Sequence, residues 1–255
     1  MTSPNSIQLV RNATLILNYA GVKILVDPML MPKDTIDPFA GKARNPLLDL
    51  PISVEEIIKD VNLVLVTHTH PDHFDAVASQ VLSKSIDLVN QPADEEFFKK
   101  ENFTNAQTVQ NQLIFKNIRI SRTGGQHGSG EILKRMGKVS GFVLQAENQP
   151  TIYIVGDSIF TEEIEQNIQK FKPDYIITNS GGAAFPGFEE TPILMDEDQT
   201  MALLNASGEA KIIAVHLEAL DHCLTTRDSL RQKATESNIR EGQLLIPRDG
   251  ETIEL

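Results

Sequence analysis

Three of the chain's six histidines lie in one short window that directly follows an apolar run. The run covers residues 61–66, and His68, His70, Asp72 and His73 follow it in the order His-Thr-His-Pro-Asp-His. In a nearly extended segment, residues two apart project to the same side, so His68 and His70 can bind one ion. Asp72 and His73 follow the proline and are then directed at a second point. Imidazole and carboxylate are ligands of zinc, Mn²⁺ and Fe²⁺, so the pattern predicts a metal site rather than a solvated turn with incidental histidines.

Polar residues of metal-ligand type also follow three other strand-like runs. Residues 118–121 lead into a glycine-rich segment with His127, residues 152–155 lead to Asp157, and residues 212–215 end directly in His216. Open α/β sheets place their ligands beyond the carboxyl ends of their strands. The four strand ends together therefore predict a single site at one edge of a sheet.

These motifs resemble those of the metallo-β-lactamase fold superfamily of metallohydrolases. Within the superfamily, the chain is most similar to the branch that includes the L-ascorbate-6-phosphate lactonases. The matching features are Val26-Asp27-Pro28, residues 67–75, Gly156-Asp157-Ser158 and the strand that ends in His216. The resemblance implies an α/β fold (α+β in some schemes), a four-layer αββα sandwich that forms one domain over residues 1–255.

The resemblance, carried over residue by residue, also implies two metal sites. The first ion would be bound by His68, His70 and His127, the second by Asp72, His73 and His216, and both by Asp157. The implied cofactors are two divalent metal ions, with zinc expected first and manganese or iron as alternatives. For His127 an exposed loop histidine is the competing interpretation, because the glycine-rich surroundings do not fix its geometry.

The expected function is that of a binuclear metal-dependent hydrolase. A metal-bound hydroxide would attack a small-molecule ester, lactone, amide or phosphoester. Two further classes stay open: an iron-dependent oxidoreductase similar to the persulfide dioxygenases, which need only the first metal site, and a non-catalytic metal-binding module.

Asp72 and His222 are the candidate catalytic residues. His222 is the one histidine left after the metal positions are assigned, and it lies six residues beyond His216. Histidine titrates near neutral pH, which suits protonation of a leaving group or a hydrogen bond to substrate. A purely structural histidine is the alternative.

Charge, hydropathy and cysteine content narrow the choice of partners. The formal net charge of −12 argues against nucleic acid, because phosphate binding requires a basic face. The sequence has neither a basic-then-apolar signal peptide nor an apolar stretch near the roughly 20 residues of a membrane span. The single cysteine, Cys223, excludes an internal disulfide and fits a reducing compartment. We therefore expect a cytoplasmic protein with a small-molecule substrate and no membrane partner, for which a homo-oligomer is compatible with the sequence.

Capping and turn signals predict alternating strands and helices. A hairpin is expected over residues 14–27, and helices are expected to begin at Ser53, at Asp72, at Thr161, at Asp196 and after Thr225. The helix over residues 72–84 would carry His73 at its start.

Two irregular segments have competing interpretations. Residues 28–52 are rich in proline and form either a substrate-binding loop or a structural surface excursion. Met29, Met31 and Phe39 are its candidate apolar contacts to substrate, or else they anchor the loop to the core. Residues 179–183, Asn-Ser-Gly-Gly-Ala, offer either backbone donors to an oxyanion or a tight turn.

Overall fold

Residues 5–255, the part of the chain that the computed structural model describes, form fourteen strands and seven α-helices. The strands are β1 (Ser6–Arg11), β2 (Thr14–Tyr19), β3 (Val22–Val26), β4 (Leu63–Leu65), β5 (Leu88–Asn90), β6 (Ala106–Thr108), β7 (Gln112–Phe115), β8 (Ile118–Thr123), β9 (Gly141–Gln145), β10 (Ile152–Ile154), β11 (Tyr175–Asn179), β12 (Lys211–Val215), β13 (Leu244–Leu245) and β14 (Thr252–Glu254). The helices are α1 (Val54–Ile58), α2 (Ala76–Val81), α3 (Glu95–Lys100), α4 (Gly130–Met136), α5 (Glu162–Phe171), α6 (Glu197–Ala206) and α7 (Arg227–Glu236).

The strands form two seven-stranded mixed sheets of similar design. The first has the order β14-β1-β2-β3-β4-β5-β6, antiparallel as far as β3 and parallel from β3 to β6. The second has the order β13-β12-β11-β10-β9-β8-β7, parallel from β13 to β10 and antiparallel beyond. Strands β4, β8, β10 and β12 end at the same edge of the molecule, as the strand-end pattern predicts.

The two sheets pack face to face, and helices cover both outer faces. Strand β4 illustrates the layering, because successive side chains of a strand point to opposite faces. Leu63 and Leu65 lie in the core between the sheets, whereas Val64 packs on the outer side with residues of α1, α2 and α3. In the second sheet, Tyr153 faces outward in the same way against α5 and α6. These layers confirm the four-layer αββα sandwich.

Three of the predicted helix starts are confirmed by side-chain caps. Ser53 forms a capping box with Glu56 at the start of α1, and the Thr161 and Asp196 side chains accept backbone N–H groups at the starts of α5 and α6. Among residues 5–255, no helix has the length and apolar character needed to cross a membrane.

The helix start predicted at Asp72 is wrong. Helix α2 begins at Ala76, because Asp75 has an extended backbone (φ −94°, ψ 173°) and its carboxylate accepts the N–H of Ala78. His73 therefore lies in the turn before the helix, where its own N–H donates to the His70 carbonyl at 2.9 Å. This turn lets consecutive residues of the motif face the same site.

The cap predicted for the last helix is shifted by one residue. Thr226 is the N-cap of α7, and its hydroxyl accepts the N–H of Ser229. Thr225 instead donates its hydroxyl to the Glu197 carboxylate at 2.7 Å, which ties this turn to α6.

The segment between β3 and α1 is anchored to the core near its start. Met29 and Met31 are buried and pack against Ala219 and Leu220, so these two methionines act as anchors rather than as exposed substrate contacts. The buried guanidinium of Arg11 donates to the carbonyls of both methionines, at 3.0 and 2.8 Å. Phe39, farther along the segment, remains half-buried.

Candidate metal centre

The side chains that follow β4, β8, β10 and β12 come together in two adjacent groups. The first group is His68, His70 and His127, and the second is Asp72, His73, Asp157 and His216. Within each group, one nitrogen or oxygen atom of every member lies within 4.8 Å of the corresponding atoms of the others. The structure thus brings all seven proposed ligands together, and their metal-binding role stays a prediction.

Asp157 lies between the two groups. Its Oδ2 atom is 3.2 Å from Nε2 of His73, 3.5 Å from Nε2 of His127 and 3.8 Å from Nε2 of His68. Its Oδ1 atom accepts a hydrogen bond from Nδ2 of Asn179 at 2.6 Å. The sequence offered Asn179 as part of an oxyanion site or of a tight turn, but in the structure it orients this carboxylate.

Several residues at the strand ends have a left-handed backbone, which turns their neighbours into the site. The φ angles are +43° at Asp27, +73° at Gly156 and +62° at His216. Glycine adopts this conformation freely, but aspartate and histidine are strained in it, and such strain concentrates at functional sites.

The donor set fits divalent metal ions. Nε2 of His68 is a buried nitrogen atom with no hydrogen-bond partner among the described residues. A buried polar atom without a partner costs free energy, and a bound cation removes that cost. Imidazole and carboxylate together suit zinc, manganese or iron. The seven residues therefore fit two ions of this type, with Asp157 shared.

The second group attracts positive charge strongly. Burial alone would raise the pKa of Asp157, but positive charge on His73 and His216 outweighs burial and holds this pKa well below its ordinary value. Burial lowers the pKa of His73, but the nearby carboxylates, with Asp157 foremost, raise it to about 10. A divalent cation satisfies the same carboxylates as these protons do.

The imidazole of His127 is oriented through its other ring nitrogen. Nδ1 lies 2.7 Å from the carbonyl oxygen of Ile193, which directs Nε2 toward Asp157. The side chain is 1% exposed, so the alternative of an exposed loop histidine is wrong. The glycine-rich sequence gave no sign of this contact, because Ile193 lies 66 residues away.

Asp27 orients His73, a role that the sequence analysis missed. Oδ2 of Asp27 lies 2.8 Å from Nδ1 of His73, and the N–H and hydroxyl of Thr67 donate to the same carboxylate at 2.7 Å each. A carboxylate paired with a metal-binding histidine fixes the ring and raises the basicity of its ligating nitrogen. The Asp-Pro pair directly after β3 was the available signal.

We expect Asp27→Asn to weaken metal binding by the second group about 10- to 100-fold. Asparagine tolerates the left-handed backbone but removes the carboxylate that orients His73. Competition with a metal chelator measures the affinity. The control is Asp34→Asn, because Asp34 is exposed and also has a positive φ (59°). Equal chelator resistance in both variants would contradict the role of Asp27.

His222 lies outside both ligand groups, in an aromatic environment. Its ring centroid is 5.0 Å from that of Phe39 and 5.5 Å from that of Phe185. The residue is buried, and its Nδ1 atom has no hydrogen-bond partner among the described residues. Burial lowers the pKa of His222 to about 4. Its catalytic role stays a prediction.

Comparison with known proteins identifies the family. The model of the beta-lactamase superfamily domain matches residues 23–217. The UPF0173 protein YddR of Bacillus subtilis (strain 168) is 35% identical over 253 residues, which cover 97% of this chain and 98% of that protein. The chain belongs to the metallo-β-lactamase superfamily. Within this superfamily it is a member of the UPF0173 family.

Two solved structures resemble this UPF0173 member over almost its whole length. One, from Veillonella parvula DSM 2008, is described as "a possible metal-dependent hydrolase". It is 35% identical with a TM-score of 0.95, and the match covers 99% of this chain and 100% of that chain. The other is an isothiocyanate hydrolase from Delia radicum gut bacteria, 36% identical with a TM-score of 0.92, with coverage of 98% and 99%. The superfamily predicted from the sequence is thus confirmed, whereas the L-ascorbate-6-phosphate lactonase-like branch stays a prediction.

Proposed function

We propose that this chain is a binuclear metal-dependent hydrolase of small electrophilic molecules. The observation that carries the proposal is the position of Asp157, whose Oδ2 faces His68 and His127 of one group and His73 of the other. A carboxylate in this position is suited to bridging two cations. Two-metal sites of this kind bring an attacking water and its target together.

We propose isothiocyanates as the first substrate class to test. The support is the 36% identity to an isothiocyanate hydrolase over nearly the whole of both chains. The central carbon of R–N=C=S is electrophilic, as an ester carbonyl is. Addition of water to this carbon, followed by cleavage of the C–N bond, yields the primary amine R–NH₂ and carbonyl sulfide. Small cyclic esters and phosphorylated metabolites, suggested by the lactonase-like motifs, form the second class.

The contribution of the protein is to hold and orient charged groups in a buried site. When bound, the divalent ions supply Lewis acidity, which lowers the pKa of water toward about 7 and polarises the electrophile. Asp72 lies 3.1 Å from Nε2 of His216, and its pKa is held far below the ordinary value although burial opposes this, because His73 and His216 carry positive charge. An ionised Asp72 accepts and orients a hydrogen of the attacking water.

His70 marks the side from which substrate enters. It is half-buried, whereas the other six residues of the two groups are buried. Thr69, directly before it, donates to the Asp94 carboxylate at 2.8 Å and so fixes the backbone on this side.

The second group of residues favours the hydrolase over the oxidoreductase and over the non-catalytic module. A persulfide dioxygenase-like enzyme needs only His68, His70 and His127, so it leaves the group around Asp72 and His216 without a role. A non-catalytic metal-binding module does not account for the buried, paired carboxylates either. A hydrolase uses both groups.

We expect close to two zinc or manganese ions per chain in protein purified without added metal, together with hydrolysis of benzyl isothiocyanate. Elemental analysis by mass spectrometry gives the stoichiometry, and a screen of isothiocyanates, lactones, phosphodiesters and thioesters gives the activity. A fully loaded protein with one ion, and with Asp72 and His216 free, would show that the site is not binuclear. Iron together with oxygen consumption would favour the oxidoreductase.

A further inference from the structure

Two aromatic residues from distant segments meet at the ring of His222. Phe39 comes from the segment between β3 and α1, and Phe185 from the segment between β11 and α6. Phe39 approaches the imidazole edge-on, at an interplanar angle of 79°, whereas Phe185 lies at 32° to it. Phe39 and Phe185 are both half-buried, although His222 itself is buried. Each of the two phenylalanines therefore keeps some surface exposed.

This aromatic group adjoins the metal centre. Cys223, the next residue after His222, places its sulfur 3.6 Å from Nδ1 of the proposed ligand His216. The charges of Asp72 and Asp157 also act on the imidazole of His222. The aromatic group is thus next in the chain to a contact of the proposed ligand His216.

The segment that carries Phe39 is fixed by Asp221, the residue before His222. The Asp221 carboxylate accepts the N–H of Phe39 at 2.9 Å, that of Ala40 at 3.0 Å and that of Lys42 at 3.1 Å. It also accepts a hydrogen bond from Nδ2 of Asn45 at 2.9 Å. Successive backbone N–H groups around one carboxylate hold a loop in a single conformation.

The segment that carries Phe185 is tied to the same short stretch of chain. The N–H of Ala184 donates to the carbonyl of His222 at 3.0 Å. Cys223 packs against the two apolar clusters to which Phe39 and Phe185 belong. Residues 221–223 thus position both phenyl rings, so the aromatic wall exists before any ligand binds. Such preorganisation lowers the entropic cost of binding.

We propose that Phe39, His222 and Phe185 form the subsite for the substituent of the substrate, and that this substituent is flat, apolar and uncharged, such as an aryl group. Aromatic rings bind flat apolar groups through edge-to-face and offset contacts, and a neutral imidazole between them adds no charge to select for an ion. The inference rests on the proposed hydrolase function and names its substrate class: isothiocyanates with an aryl substituent are preferred over those with a methyl group.

The test compares benzyl and methyl isothiocyanate in the metal-loaded enzyme. In Phe39→Ala and Phe185→Ala, the ratio of kcat/KM for benzyl over methyl falls about tenfold or more, mainly through KM for the benzyl substrate. The matched control is Phe188→Ala, since Phe188 is half-buried on the same segment as Phe185, whereas the ring paired with His222 is that of Phe185. It leaves the ratio unchanged. Metal content is measured in every variant.

A binding measurement separates this subsite from the proposed function. Calorimetric titration with phenylmethanethiol and ethanethiol compares an aryl with an alkyl substituent on the same metal-binding thiol. The wild-type protein binds the aryl thiol about tenfold more tightly, and Phe39→Ala loses this preference. If no isothiocyanate is hydrolysed but the thiol preference is present and lost in the variant, the substrate proposal fails and the subsite stands.

The opposite result overturns the subsite alone. Hydrolysis of isothiocyanates with the same benzyl-to-methyl ratio in all variants shows that the rings do not bind the substituent. If the alanine variants do not fold, Phe39→Leu and Phe185→Leu take their place, because leucine keeps the apolar volume but lacks the flat face. An unchanged ratio in these variants counts against the subsite in the same way.

Discussion

Asp157→Ala is expected to lower the occupancy of both metal sites and to reduce turnover on the order of 10³-fold or more. This exceeds the roughly 10- to 100-fold loss that is typical when a residue that only supports a metal ligand is replaced. The carboxylate faces histidines of both groups, so its removal takes a ligand from each ion at once. It also leaves Asn179 without the acceptor that it contacts at 2.6 Å. Elemental analysis and steady-state kinetics on the same preparation measure the two effects.

Two variants make the Asp157 result specific. Asp157→Asn keeps the shape of the side chain but lacks the negative charge, so it should fold like the wild type and still lose metal. Asp174→Ala changes an aspartate that accepts the N–H of Thr151 just before β10, at the opposite end of the strand from Asp157. It should retain both ions. Retained activity in Asp157→Ala would instead make this residue an ordinary aspartate of a turn.

His222→Ala is expected to fold normally and to keep both metal ions, yet to lose roughly 10²-fold in turnover. Because burial lowers the pKa of His222 to about 4, the ring is neutral at pH 7. Of the two roles considered from the sequence, a hydrogen bond from the neutral ring to substrate is therefore favoured over donation of a proton by a charged ring. Turnover, metal content and thermal melting of the variant test this.

The pH profile and a conservative variant distinguish these roles. If His222 donates a hydrogen bond, its titration does not change kcat near pH 6.5. His222→Gln, which keeps an N–H donor, then recovers part of the activity. A limb near pH 6.5 that disappears in His222→Ala would indicate a charged general acid. Full activity would assign His222 to structure, and loss of one ion would make it a ligand.

The family resemblance implied the four-layer fold and the assignment of the seven residues to two groups, whereas the sequence pattern itself predicted that their side chains meet at one sheet edge, for one physical reason. Apolar runs such as residues 61–66 and 212–215 form buried strands, and the residues that follow them are placed at the sheet edge by the fold itself. No exact knowledge of loop geometry is needed to bring His68 and His216 to the same edge.

Contacts between distant loops could not be predicted in this way. Phe39 and Asp221 are 182 residues apart, and nothing in the local sequence of either residue indicates the other. The predicted start of α2 was also wrong. The backbone of Asp75 is set partly by a long-range contact, in which its carboxylate accepts the N–H of Met31 at 2.6 Å. Helix and strand propensities depend on the residues of one segment, whereas these hydrogen bonds depend on how distant segments pack together.

The division of the ligands between the two sheets has a consequence for how the protein matures. The first sheet supplies His68, His70, Asp72 and His73, and the second supplies the three others, His127, Asp157 and His216. Neither sheet alone supplies all the proposed ligands of either ion, so a nascent chain that extends only as far as β6 cannot bind them. We therefore expect metal binding to be a late step of biogenesis, after which the proposed ions join the two sheets of the sandwich at its edge.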